Sequence, residues 1–282
     1  MPSAGERPAA ARPDVAAPPR RRRTQRVPVA LLVPAVLGLL FLVLPLVGLL
    51  IRAPWATLPQ RLTEPGVLTA LRLSLYTATM ATLVCLVLGV PLAWLLARVD
   101  FPGRRVVRAL VTVPLVLPPV VGGVALLLVF GRRGLLGSRL DAAFGFTLPF
   151  TTTGVVLAEA FVAMPFLVIA VEGALRGADT RYEEAAATLG AGRWTVFRRV
   201  TLPLVGPGIA AGAVLCWARA LGEFGATITF AGNFPGRTQT MPLAVYLALE
   251  VDLQDAIVLS LILLAVSVTI LISLRDKWLT AP

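Results

Sequence analysis

Thr180-Arg-Tyr-Glu-Glu-Ala-Ala-Ala-Thr-Leu-Gly-Ala-Gly-Arg-Trp-Thr-Val-Phe-Arg-Arg-Val-Thr-Leu-Pro203 is a charged stretch set between two apolar runs, each long enough to cross a bilayer. Thr180 stands at an N-cap position and Glu183 three residues later completes a capping-box pattern, which predicts a short helix with Glu183 and Glu184 near the positive end of its dipole. Ala185, Ala186 and Ala187 sustain that helix without bulk. Gly190 and Gly192 let the backbone turn, and residues 193–200 read as a second helical piece with Arg193 at its start and Trp194 and Phe197 three apart. Pro203 suits the first turn of the next helix. Residues 175–203 are therefore expected to fold as a compact two-helix knob outside the membrane, either a docking element or an ordinary amphipathic loop.

The chain around this knob is built for lipid. Of 282 residues 57% are hydrophobic and 15% charged, and the mean hydropathy is +0.83, a composition that a water-soluble core of this size does not need. Six apolar runs, at residues 29–51, 73–97, 109–130, 150–171, 204–225 and 256–274, approach or exceed the roughly 20 residues that span a bilayer. The expected fold class is all-α, a polytopic membrane protein with six transmembrane helices over residues 29–276. Residues 1–28 hold six prolines and the block Arg20-Arg21-Arg22-Arg23 directly before the first span, which reads as a disordered basic tail and an uncleaved signal anchor. Residues 277–282 form a short C-terminal tail. With both termini and the even-numbered loops in the cytoplasm, most basic residues fall inside, in accord with the positive-inside rule, although Arg132-Arg133 fall outside. The apolar piece 241–249 is too short to span and is expected to be re-entrant or interfacial.

Composition also excludes functions. The net charge of +11 could suggest nucleic acid, but the arginines lie beside apolar spans, where anionic lipid and topology account for them, so membrane lipid and not nucleic acid is the expected partner. No His occurs, which removes His-ligated metal sites, catalytic triads and imidazole bases. Cys85 and Cys216 sit alone in apolar runs and read as small buried hydrophobes. No P-loop is present, so no nucleotide binding is expected in this chain. No catalytic residue, cofactor or metal is predicted, and the lack of paired intramembrane Asp argues against a membrane enzyme.

Four stretches carry a resemblance: Pro114-Leu-Val-Leu-Pro-Pro-Val-Val-Gly-Gly123, Phe130-Gly-Arg-Arg-Gly-Leu-Leu-Gly137, the segment from Glu184 to Pro203, and Ala220-Leu-Gly-Glu-Phe-Gly-Ala-Thr-Ile-Thr-Phe230. In the third, Glu184, Ala185 and Ala186 are followed by Gly190 and then by Val200-x-Leu202-Pro203, a spacing similar to that of ABC importer membrane subunits in general. The Gly222-Glu-Phe-Gly225 stretch resembles the molybdate and sulfate/thiosulfate permeases, and its continuation looks molybdate-like. The resemblance covers most of residues 29–276. It implies the type I ABC importer permease fold in a bacterial cytoplasmic (inner) membrane. It implies a second copy of the chain, two cytoplasmic ABC ATPase subunits that hydrolyse the ATP, and an extracytoplasmic molybdate-binding protein. Molybdate or tungstate is then the transported anion. Docking of the ATPase is assigned to Glu183, Glu184, Ala185, Ala186, Gly190, Arg193, Val200, Leu202 and Pro203. A sulfate/thiosulfate permease is the alternative, and an ion-coupled secondary carrier the alternative of another class.

Candidate path residues come from the membrane interior, where an ionisable side chain is expensive unless paired or facing water. Arg219 and Glu223 lie four apart near the end of the fifth span and either face a path or neutralise each other. Glu159 would repel a dianion and reads as a packing or hydrogen-bonding group. Pro118, Pro119, Gly122 and Gly123 interrupt the third span, and either flank the path or permit close helix packing. Thr227, Thr229 and Asn233 are candidate donors along an otherwise apolar wall.

Overall fold

The computed structural model describes residues 29–279; the expected tail at 1–28 lies outside the described residues, as do residues 280–282. The described residues hold helices and connecting turns, with no strand among them. The chain divides into two compact units at Gly48. In the first, helix α1 (Val29–Ile51) is a run of apolar side chains that are exposed along most of its length.

The second unit is organised around α7 (Thr152–Gly177), which packs along both α3 (Pro65–Arg98) and α10 (Leu202–Leu221). The three meet through small residues, among them Ala78, Ala81, Ala160, Ala163 and Ala220, with Leu96, Leu167 and Leu175 filling the gaps. Lipid tails give no hydrophobic drive for helices to associate, so close backbone approach through small side chains supplies the attraction. Gly208 of α10 abuts the Ala174 side chain of α7, leaving no room for a Cβ at the crossing. Helix α3 has 34 residues, longer than the expected span 73–97, because Pro65 suits a first turn and nothing before Arg98 stops the helix. At about 1.5 Å per residue it reaches about 51 Å, well beyond the hydrocarbon thickness. A five-residue helix, α2 (Leu58–Leu62), precedes it, and Arg61 of α2 pairs with Asp252 and Asp255.

The third span is broken, as Pro118, Pro119, Gly122 and Gly123 within the run 109–130 predict. It is α4 (Arg104–Val116) followed by α5 (Pro119–Phe130), bent by 117°. Pro118 and Pro119 cause the break: neither has an N–H to donate, and the residue before them, Leu117, is pushed to an extended conformation (φ −68°, ψ 129°). The pair still runs the length of α7. Arg108 of α4 contacts Glu172 near one end of α7, Gly122 of α5 lies against Phe161 in the middle, and Phe130 joins the cluster around Ala158 toward the other end. A short α6 (Gly137–Phe144) follows, held by an ion pair of Arg132 with Asp141 at 3.0 Å.

The knob consists of α8 (Arg181–Thr188) and α9 (Arg193–Val196). A π turn, residues Phe197–Thr201, links α9 directly into α10, so residues Arg193–Leu221 run as one helical rod. The wide turn has a local cause. Pro203 has no N–H for the carbonyl of Arg199 and its ring crowds that carbonyl, so the ladder widens and Leu202 donates to Phe197 instead. The fifth span thus begins earlier than residue 204 and ends at Leu221, four residues before the expected limit, because the chain turns at Gly222. The remaining helices are α11 (Gly225–Ala231), α12 (Met241–Val251) and α13 (Leu253–Leu279). Helix α12 has 11 residues and is too short to span, as the sequence predicts. Five helices are long and apolar enough to cross a membrane, and the bent pair brings the number to six.

Candidate docking knob and buried polar turn

The predicted capping box does not form. Thr180 adopts a helical conformation (φ −67°, ψ −17°) with no side-chain bond to the helix. Asp179 Oδ1 takes the Arg181 N–H at 3.0 Å in its place. Glu183 is thereby free to turn inward, where Oε1 accepts from Arg98 Nη2 at 3.1 Å and from Thr201 Oγ1 at 3.0 Å. One carboxylate therefore ties α8 to the end of α3 and to the π turn. Glu184, next in sequence, is exposed and makes no side-chain bond. Gly190 turns the chain with φ +85°, a left-handed conformation that a side chain would strain, while Gly192 has an ordinary φ of −67°.

Trp194 stacks on Phe197 with centroids 5.7 Å apart, and Phe197 meets Trp94 of α3 edge-on at 6.0 Å. Even so, the knob presents apolar area outward. Leu189 is 88% exposed, Trp194 70% and Tyr182 61%. Ala185 and Arg193 are exposed beside them, and Ala186 is half-buried. Val200 is half-buried in the π turn, whereas Leu202 and Pro203 are exposed at the start of α10. Glu183, Arg193 and Thr201 line a cavity of about 410 Å³ between the knob and the end of α3. Exposed large apolar side chains on a charged segment make the knob a candidate contact surface.

The second polar region is buried. Arg219 Nη2 lies 2.5 Å from Glu223 Oε2, and Glu223 Oε1 accepts the Ala226 N–H at 2.8 Å. Glu223 sits beyond the end of α10, in the turn that leads to α11, so it caps α11 while neutralising Arg219. Glu159 is 1% exposed and accepts from Thr77 Oγ1 of α3 at 2.9 Å, joining α7 to α3; its other oxygen has no hydrogen-bond partner. Thr227 is fully buried and Asn233 half-buried, and Thr227 Oγ1 and Asn233 Oδ1 lack partners. Thr229 Oγ1 donates to the Gly225 carbonyl at 2.8 Å. Pro118, Pro119, Gly122 and Gly123 bring α5 hard against α11 and α7. A Cβ on Gly123 would lie 2.7 Å from Thr229 Cβ and 2.9 Å from the Ala226 carbonyl oxygen. The structure thus joins the proline-glycine break, Glu223, Thr227 and Thr229 in one closely packed region, apart from the knob.

Sequence reasoning missed Glu172. Its Oε1 accepts from Arg108 Nε at 3.0 Å and Nη2 at 2.8 Å, and from Arg176 Nη2 at 2.7 Å, tying α4 to the end of α7. An acidic residue four before Arg176 in an otherwise apolar run was the available signal. Among the described residues no cluster of three or more His, Cys, Asp or Glu is placed to hold a metal ion.

Residues 89–281 match the family model of the binding-protein-dependent transport system inner membrane component. The chain is 49% identical over 244 residues to the molybdenum transport system permease protein ModB of Mycobacterium tuberculosis, covering 86% of this chain and 92% of the relative. It is 45% identical over 218 residues to the Escherichia coli protein of the same name, covering 77% and 95%. It is 38% identical over 240 residues to the sulfate transport system permease protein CysT of Escherichia coli, covering 84% and 86%. In fold it is similar to a chain of a bacterial ABC transporter involved in the import of the acidic polysaccharide alginate, with a TM-score of 0.72 at 19% identity, over 89% of this chain and 94% of the other. It also resembles a chain of the MetNI methionine ABC transporter, with a TM-score of 0.57 at 18% identity over 77% and 98%. The helical architecture is that of an ABC importer permease, and the chain belongs to the binding-protein-dependent transport system inner membrane component family, as a multi-pass protein of the inner membrane.

Proposed function

We propose that this chain is the membrane-spanning subunit of an ATP-driven importer that carries molybdate across the inner membrane by alternating access. Two copies enclose the path, both termini and the knob at 175–203 are cytoplasmic, and two separate ABC ATPase subunits hydrolyse ATP. An extracytoplasmic binding protein delivers the anion. The observation that carries the substrate is the 49% identity, over 92% of its length, to a relative named for molybdenum transport, against 38% for one named for sulfate.

The chain's own residues support the docking and path parts of this reading. The exposed Tyr182, Leu189 and Trp194, with the unpaired Glu184 among them, give an ATPase subunit both apolar area and a charge to engage. Glu183 is held by Arg98 and Thr201, so its part is to fix the knob on α3 and not to reach outward. In the membrane interior the one arginine at the buried turn is neutralised by Glu223. A dianion meeting paired charges and apolar walls is not trapped, whereas an unpaired buried arginine would bind it too tightly for release. Thr227 keeps a buried hydroxyl without a partner, and it is the donor best placed to meet the anion if the turn opens, whereas Asn233 has only its amide N–H groups to offer, since its unpartnered Oδ1 accepts.

The test is uptake of labelled molybdate and labelled sulfate in a strain lacking the gene, with and without its return. Restored molybdate uptake, with tungstate competing better than sulfate, is the expected result. Return of sulfate or thiosulfate uptake alone would replace the substrate and leave the importer reading in place.

A further inference from the structure

At the turn between α3 and α4 the chain gathers four guanidinium groups around a cavity of about 500 Å³, those of Arg104, Arg105, Arg108 and Arg176. The carboxylates that answer them are Asp100, 2.5 Å from Arg104, and Glu172, shared by Arg108 and Arg176. Four positive groups facing two negative ones leave two charges uncompensated. Arg104 is otherwise committed to the end of α3, donating to the carbonyls of Leu96 at 2.8 Å and Ala97 at 3.3 Å. Arg105 is exposed and has no partner within the described chain. Its guanidinium is the free donor of the group.

The position of the cluster decides what can answer it. Arg176 is in the last turn of α7, and α3 ends at Arg98, so the cavity sits where two membrane helices leave the apolar layer. Helix α4 continues from the arginines with two different flanks. Val107 and Val111 pack on the central helices, while Val106, Leu110 and Val113, spaced four and three apart, are 61%, 62% and 45% exposed. A basic first turn leading into an exposed apolar stripe matches a molecule with an anionic head and a hydrocarbon tail.

We infer that the α3–α4 turn is a binding site for an anionic phospholipid, its phosphate held by Arg105 together with Arg108 and Arg176, and one acyl chain lying along Val106, Leu110 and Val113. Guanidinium groups bind phosphate oxygens through paired N–H donors, which favours arginine over lysine at such a site. The site does not depend on which anion is transported or on which side of the membrane the knob lies.

The experiment uses the full chain purified in a nonionic detergent and titrated with phosphatidylglycerol, with phosphatidylcholine of the same acyl chains, and with water-soluble glycerol phosphate, bound lipid being counted by native mass spectrometry. Wild type is expected to retain phosphatidylglycerol in preference to phosphatidylcholine. Arg105→Gln, which breaks no internal bond, is expected to weaken phosphatidylglycerol retention about fivefold, the worth of one basic residue at an anionic surface. Leu110→Asn is expected to weaken retention of the lipid without creating binding of glycerol phosphate, and Arg133→Gln, at the far end of the span, to change nothing. Equal retention of the two lipids by wild type, or unchanged retention in Arg105→Gln, would overturn the site. Glycerol phosphate displacing the lipid at equal concentration would make it a free-anion site and overturn the lipid assignment. Loss of copurifying ATPase in Arg105→Gln with unaltered lipid retention would give the surface to the ATPase and overturn it too.

Discussion

The knob at 175–203 and the buried turn at 222–233 are built from the same parts and put them to opposite use. Each joins two helices through a glycine-containing bend, and each has a glutamate that ties neighbouring chain together, Glu183 to Arg98 and Thr201, Glu223 to Arg219 and the Ala226 N–H. In the turn, Ala226, Thr227 and Phe230 are fully buried. In the knob, Leu189 and Trp194 are mostly exposed and Glu184 is unpaired. A glutamate in a bend is therefore no guide to role; what its neighbours cover is. Exposed apolar side chains such as those of the knob are open to a partner, whereas the buried Glu223 serves the chain's own packing.

If that contrast is right, substitutions in the turn lower stability, and those on the outer face of the knob lower association with the ATPase instead. Glu223→Ala is the most severe. It leaves Arg219 unneutralised and the start of α11 uncapped, at a cost of about 3 kcal/mol, to be read as loss of folded yield and a lowered unfolding temperature in detergent. Gly123→Ala comes next at about 2 kcal/mol, since its new methyl overlaps Thr229 and the Ala226 carbonyl and forces α5 from α11. Gly190→Ala costs about 1 kcal/mol, because an alanine must hold the left-handed φ of +85°. Glu184→Arg is expected to change stability by less than about 0.5 kcal/mol, as an exposed unpaired side chain, while ATPase copurification falls and transport stops. Copurification of Glu184→Arg at wild-type yield would break the comparison, and a stability loss as large as that of Glu223→Ala would show that the knob is internal structure after all.

The spans and the knob were legible in the sequence because each depends on local pattern: apolar length for the spans, and for the knob a charged, glycine-punctuated interruption between them. The break of the third span was legible as an event, from Pro118, Pro119, Gly122 and Gly123, but not in its angle, which depends on how α5 fits α11. Which of two adjacent glutamates faces inward could not be read. That choice rests on Arg98, 85 residues away in sequence, and on Thr201 across the bend. The capping box failed for a local reason the pattern does not encode: Asp179, one residue before the expected cap, bonds the Arg181 N–H, and Thr180 itself is helical. Glu172 was overlooked because its partner Arg108 belongs to another span and only folding brings the two together.

The rod Arg193–Leu221 begins in the knob and ends beside Glu223, with its hydrogen-bonded ladder carried through the π turn and its tightest crossing at Gly208 against Ala174. Trp194 lies about 21 Å along it on one side of that crossing and Arg219 about 16 Å on the other, at about 1.5 Å per residue. If such a rod tilts as one rigid body about Gly208, its two ends move in opposite directions. A tilt that swings the Trp194 end one way carries Arg219 the opposite way through about three-quarters of the distance. A push on the Trp194 end would then reach the Arg219–Glu223 pair as a reversed and slightly reduced displacement, without any bond of the ladder having to break between them.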